Sequence, residues 1–274
     1  MSRGIVVLAT AAAAAAAAPL PVQLTFAIVG LGGVGMVHGA GDLAVVAPAW
    51  RRTFVIVYGV VSLATLLWWT ADPAMALPAF LVASAIHFGI ENAPKGGIGE
   101  RFAHGAGLIA APAALHSADY AALLHAAGGQ ASTITGYGPL LAGVGGLAGM
   151  ALLLLASTRR DARLAGGACA LLVLPPLIGF TVGFLLLHAL PQTDMRRDRL
   201  GHTSTIAYLR AVTPIMAAAF VLGGVTILLL SRFDPSGVRG LFAGIAALAM
   251  PHLLVTPFFE QRGRETRLAL AGGE

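Results

Sequence analysis

Apolar runs of roughly 18 to 25 residues, the length a helix needs to cross a bilayer, recur along almost the whole chain. They fall at 22–48, 53–71, 74–92, 102–127, 137–156, 164–190, 205–231 and 238–259, and short connections bounded by Gly, Pro or Arg separate them. No run alternates apolar and polar residues with the period of two that a membrane barrel requires, and in lipid only helices and closed barrels satisfy their own backbone. The pattern predicts an all-α, polytopic transmembrane helical bundle of about seven to nine membrane segments. Residues 1–21 form an Ala-rich extension, in which Arg3 precedes an apolar run ended by Pro19 and Pro21. This is a helix or a signal-like segment. Residues 22–260 make a single membrane domain, and 261–274 a basic tail.

Composition agrees with that pattern. The chain is 57% hydrophobic and only 11% charged, with a mean hydropathy of +0.83, far from a soluble domain. The net charge of +5 does not point to nucleic acid, because the arginines lie in short clusters between spans and act as topology anchors. Arg51 and Arg52, then Lys95 and Arg101, then Arg159, Arg160 and Arg163 fall on one side if each span crosses once. That side is expected to be the cytoplasmic face of the cell's inner membrane. A single crossing at 164–190 would then export Arg196, Arg197 and Arg199, and later Arg262, Arg264 and Arg267. Pro175 and Pro176 resolve the conflict. Two adjacent prolines remove two backbone donors, so this segment is predicted to be broken or re-entrant and to return to the basic side. Only Arg232 and Arg239 are then opposed.

Five histidines sit in or beside apolar stretches: His38 in HGAGD, His87 in IHFGIEN, His104 in AHGAGLIAAP, His188 in LLLHALPQ and His252 in AMPHLL. Ionisable side chains are costly in hydrocarbon, so this many histidines point to a shared metal site. Cys169 is the only cysteine, which excludes an intrachain disulfide and a thiolate cluster. With the re-entrant segment, all five lie within about a dozen residues of a basic loop, roughly 20 Å at helical rise, and can converge. His38 and Asp42 are four apart, so the carboxylate can accept the imidazole's second N–H while the other nitrogen binds metal. His87 and Glu91 repeat the spacing, with Glu91 a ligand, a supporting group or part of a solvated helix end. His188, at the mouth of the broken segment, reads as a ligand. His104, beside Gly105 and Gly107, reads equally as ligand or as structure, and His252 after Pro251 as ligand, substrate contact or packing. His116, His125 and His202 read as solvated. The GxGxxG at 30–35 follows no strand and is not a dinucleotide loop; Gly35 and Gly39 instead make a GxxxG pair beside His38.

HGAGD, IHFGIEN, AHGAG followed by Pro112, the Pro175–Pro176 pair, LLLHALPQ and PHLLV stand in the order seen in the Brp/Blh family of membrane β-carotene 15,15′-dioxygenases, which the chain resembles from near residue 30 to 260. The resemblance implies that Fe(2+) and O₂ split β-carotene, or a related carotenoid, at its central double bond into retinal. It places the family's iron histidines on His38, His87 and His188. A further family histidine falls on Gln192, and the acidic residue that closes the family's HFG motif is Asn92 here, beside Glu91. Gln is a weaker ligand than imidazole for iron(II), so His252, His104 or Gln192 itself would supply the fourth position, with Asp42, Glu91 and Asn92 in support.

The expected partners are the carotenoid, O₂ and membrane lipid, with a retinal-binding rhodopsin as a consumer that the family implies. Nucleic acid is not among them. Two other readings fit the residues: a membrane protein that holds carotenoid or retinal without cleaving it, which Gln192 favours, and a metal or proton transporter gated at the broken span. Few membrane carboxylates and no internal repeat stand against transport.

Overall fold

A computed structural model of the protein describes residues 3–128, 138–232 and 234–262. Helix α1 (Arg3–Ala16) precedes a span made of α2 (Leu20–Ala27), a π-helical segment (Ile28–Gly35), α3 (Val37–Ala40) and α4 (Asp42–Val45). There follow α5 (Arg51–Ala71), α6 (Pro73–Asn92), α7 (Ile98–Ala110), α8 (Ser117–Gly128), α9 (Gly138–Arg159) and α10 (Ala162–Val173). Helix α11 (Pro176–Phe184) runs through a second π-helical segment (Leu185–Ala189) into α12 (Leu190–Arg199), before α13 (Thr205–Leu230) and α14 (Val238–Leu254). Among the described residues there is no strand, and seven helical spans are long and apolar enough to cross a membrane. The protein is thus the all-α membrane bundle that the apolar runs predict.

Neighbouring helices are antiparallel, and glycines mark where they touch. On α6 and α7, Gly89 lies against the Arg101 backbone and Gly105 against Ala85. Gly145 of α9 lies against the Ala110 carbonyl, and Gly107 of α7 against Leu152. At the Pro175–Pro176 break the chain turns back as a hairpin. Gly167 faces Leu187, Gly179 the Ala170 carbonyl and Gly183 Leu171, so short α10 folds back along α11. The second arm continues to Arg199 as a span-length helix and is the most enclosed of the seven, with 72% of its apolar window covered, against 11% for peripheral α13. Residues 164–190 therefore do not cross once, and Arg163 lies at the same end as Arg196, Arg197 and Arg199. That basic end also holds Arg51, Arg101, Arg159 and Glu260, the last paired with Arg196 and Arg199.

The run at 102–127, expected to be one span, is two helices. Helix α7 stops at Ala110, a 3₁₀ turn follows at Ala111–Ala113, and α8 begins at Ser117. Pro112 has no N–H to continue the helix, and the Tyr120 hydroxyl donates to the Ile109 carbonyl (2.6 Å) that the break leaves open. Other phenol and indole groups do the same work: Tyr58 donates to Leu248 O (2.8 Å), Tyr208 to Val37 O (3.1 Å) and Trp69 to Ala127 O (3.2 Å). At the end of α6, Arg101 donates to the carbonyls of Ala93 and Pro94. Most of the tail at 261–274, with Arg264 and Arg267, lies outside the described residues.

Two outcomes test this packing. A Cβ at Gly145 would overlap the Ala110 carbonyl, so Gly145→Leu is expected to cost at least about 1–3 kcal/mol and lower the thermal midpoint in detergent, whereas Gly143→Leu, which faces open space, leaves it unchanged. Bidentate hydrogen bonds from Arg159 (2.7 and 2.8 Å) hold the Glu100 carboxyl below its ordinary pKa of 4.5. A depressed carboxyl contributes stability above its unfolded value and loses it as the pH falls through the folded one. Below pH 4.5 the parent is therefore expected to lose thermal stability more steeply than Glu100→Gln, and the two curves should converge.

Candidate functional site

Four helical elements each send one imidazole to a common point: His38 from α3, His87 from the last turns of α6, His188 from the π-helical segment after α11, and His252 from α14 just past Pro251. Successive rings meet edge to face. His38 and His188 are 4.9 Å apart between centroids, His188 and His87 5.3 Å, His87 and His252 5.1 Å, and His252 and His38 5.3 Å. The four therefore close a ring. His38, His188 and His252 are buried, at 7%, 1% and 8% exposure. Phe88 and Phe184 pack on His188 at 4.8 and 5.4 Å and complete its enclosure.

The way the sequence breaks its helices explains how these rings are aimed. The π-helical segment Ile28–Gly35 ends in a turn at Met36, which leaves the Gly35 carbonyl free to meet His38 Nδ1 at 2.5 Å. Gly35 itself lies under the Phe184 ring, where a larger residue would push the elements apart, and Gly39 lies opposite His252. Asp42 Oδ2 accepts from His252 Nδ1 (2.6 Å) and from the Thr256 hydroxyl (2.7 Å). Arg196 lies 3.1 Å from Oδ1 as an ion pair, without the angle of a hydrogen bond. Asn92 Oδ1 meets His188 Nδ1 at 2.8 Å.

A carbonyl, a carboxylate and an amide oxygen can only accept, so each of these three Nδ1 atoms carries a proton, and in the neutral imidazole Nε2 keeps its lone pair. His188 Nε2 and His87 Nε2 are buried without a hydrogen-bond partner. Buried polar atoms are rarely left so. The donor set suits a borderline divalent cation, with the opposite nitrogens oriented by acceptors in the manner of metal-binding histidines. Among the described residues, however, no three His, Cys, Asp or Glu side chains stand close enough to close on one ion. The rings converge without forming a finished coordination shell.

The structure corrects several sequence expectations. Asp42 serves His252, not His38, because the chain breaks at Gly41 and the two residues do not share one continuous helix. Of the three candidates for a fourth position, only His252 enters the ring. His104 is buried on the α7 face toward α9 and makes no ring contact with the others. Gln192 is buried one turn past His188 and donates from Nε2 to the Glu91 carbonyl (3.2 Å), filling an open acceptor at the end of α6. The Glu91 side chain lines a separate polar cavity. His116, expected to be solvated, bonds the Val173 carbonyl (3.0 Å), and His125 Nδ1 is buried without a partner. Thr256 was not singled out in the sequence, and Arg196 was read only as a topology anchor. The four-residue step from His252 to Thr256 was the available signal.

The ring forms one wall of a cavity of about 920 Å³, whose other walls are apolar and aromatic, including Phe80, Phe180, Phe220 and Phe242. Tyr58, Tyr120, Ser62 and Ser84 supply its few hydroxyls. Such a space takes a large hydrocarbon and offers a charged ligand nothing. The fold and the ring define a membrane protein with a histidine centre beside an apolar chamber. Residues 29–260 match the family model described as beta-carotene 15,15′-dioxygenase, and the chain belongs to that family. No curated protein and no solved structure matches it.

Removing the group that holds both His252 and Thr256 should be costly. Asp42→Ala leaves the imidazole and the hydroxyl without their acceptor and the Arg196 cation with Glu260 alone, so a loss of about 3–5 kcal/mol is expected in chemical or thermal unfolding of the detergent-solubilised protein. Asp42→Asn, which keeps one acceptor oxygen, should cost clearly less.

Proposed function

We propose that the protein uses iron(II) and O₂ to cleave β-carotene or a related carotenoid at its central double bond, releasing two molecules of retinal. The observation that carries this reading is the closed ring of His38, His87, His188 and His252 at the wall of the large apolar cavity. The family match supports the carotenoid and the dioxygenase class. Iron held by the four imidazoles would supply O₂ activation, for which neutral nitrogen ligands with an open position are suited. The reaction balances without an outside reductant: the carbon–carbon double bond and the O–O bond break, and each new aldehyde carbon keeps one oxygen atom.

The chain's own residues orient and exclude. The apolar chamber accepts a polyene from the bilayer and gives it no competing polar contact. Phe88 and Phe184, packed on His188, line the chamber beside the ring and set how closely the polyene approaches it. Gly35, Asp42 and Asn92 fix the tautomer and tilt of His38, His252 and His188, so that the same nitrogen of each faces inward. Dry aromatic walls keep water away from the reacting carbons.

In this reading His252 occupies the fourth position and Gln192 is a helix fastening. That removes the reason Gln192 gave for a binding protein without activity.

The test is retinal formation in bacterial cells that accumulate β-carotene. The parent is expected to bleach the cells and yield retinal, and His38→Ala and His252→Ala are expected to reduce the yield at least tenfold. Gln192→His should not raise it. Unbleached cells with well-expressed parent protein would reject the reading, and a gain in Gln192→His would move the fourth ligand to that position.

A further inference from the structure

On the basic side of the ring lies a second cavity, of about 440 Å³ and mixed polarity, walled by Glu91, Gln192, Met195, Arg196, Arg199 and Glu260. His87 and His252 line both this space and the apolar chamber, so the two cavities meet at the ring. Met195 is 53% exposed, which puts the outer part of the polar cavity at the protein surface. Across it, the Glu260 carboxylate spans Arg196 (3.2 Å) and Arg199 (2.9 Å). Among the described residues, the Glu91 carboxylate has no hydrogen bond or ion pair, one turn beyond His87.

We propose that this polar cavity is the path by which a divalent cation passes from the aqueous face to the histidine ring, with Glu91 receiving it and the Arg196–Glu260–Arg199 cluster closing the outer end. The inference rests on the ring being a metal centre. A hydrated divalent ion cannot cross the apolar chamber, because stripping its charge of water there costs far more than any contact would return. It must arrive from the opposite side, and this cavity is the polar space that reaches the ring there. Glu91 also stands at the C-terminal end of α6, the negative end of the helix dipole. The two guanidinium groups would oppose a cation, and their charge is offset by the Glu260 carboxylate between them together with Asp42 beneath Arg196. Substrate and cation thus approach the same nitrogens through separate spaces, one facing hydrocarbon and one facing water.

The path can be tested on the full chain, purified metal-free in detergent, in a Cys169→Ser background that removes the lone native thiol. Met195→Cys introduces a thiol in the cavity wall, and a trimethylammonium methanethiosulfonate reagent then fills it. Cobalt(II) is the probe, followed by its visible absorption and by total metal content. Unlabelled Met195→Cys should load at the parental rate, the labelled protein at least about tenfold more slowly, and Glu91→Gln more slowly than the parent but to the same final content. Label added after loading should slow removal by a chelator. Equal loading by labelled and unlabelled protein would overturn the path while leaving the metal centre intact. Failure of the parent itself to bind cobalt would overturn the metal centre, and the path with it.

Discussion

Everything in this fold follows from one constraint: an imidazole placed in hydrocarbon has two nitrogens, and neither can turn to water. His38, His188 and His252 solve half of it by donating from Nδ1 to an oxygen of the protein. Only a carbonyl, carboxylate or amide oxygen can serve, and regular α-helix uses up its own carbonyls. Around His38 and His188 the chain departs from regular α-helix. The π-helical segment before His38 frees the Gly35 carbonyl, and a second π-helical segment carries His188 itself. What remains is the Nε2 of His188 and of His87, each buried without a hydrogen-bond partner.

Broken helices in lipid create further open carbonyls, and the structure answers each locally. Tyr208 bonds Val37 O beside the α3 break, Tyr120 bonds Ile109 O where α7 stops, and Gln192 bonds the Glu91 carbonyl at the end of α6. Glycine supplies the other part of the solution. With little hydrophobic force between apolar helices in a bilayer, close backbone approach must supply the attraction, and Gly89, Gly105 and Gly145 give it around α7. Side chains in those positions would separate α6, α7 and α9, and with them the face that holds His87.

The parts of this arrangement legible in the sequence were those set by local composition. Run lengths gave the spans, the proline pair gave the hairpin of α10 and α11, and arginine clusters gave the common end. The break inside 102–127 was harder to see, because Pro112 sits among alanines that otherwise continue a helix. What sequence spacing could not give was pairing across the bundle. Four-residue steps suggested His38 with Asp42, yet the carboxylate reaches a histidine 210 positions away, since a break at Gly41 turns it from its neighbour. Long-range partners depend on where each helix stops and how far it is rotated, and a one-residue irregularity changes both.

Under the proposed metal centre, the same geometry favours His252 over position 192. Each of the four ring histidines comes from a different wall of the bundle, so together they enclose a space, whereas position 192 lies on the same wall as His188, about 6 Å further along the helix. A side chain there would meet the ring from the basic side and would stand in the polar cavity, which Gln192 indeed lines. His252 instead brings its own support on the same helix, Thr256 one turn later sharing the Asp42 oxygen that orients the imidazole. A fourth donor that encloses the centre leaves the chamber side free for a hydrocarbon and the polar side free for water, and a donor at 192 would obstruct the second.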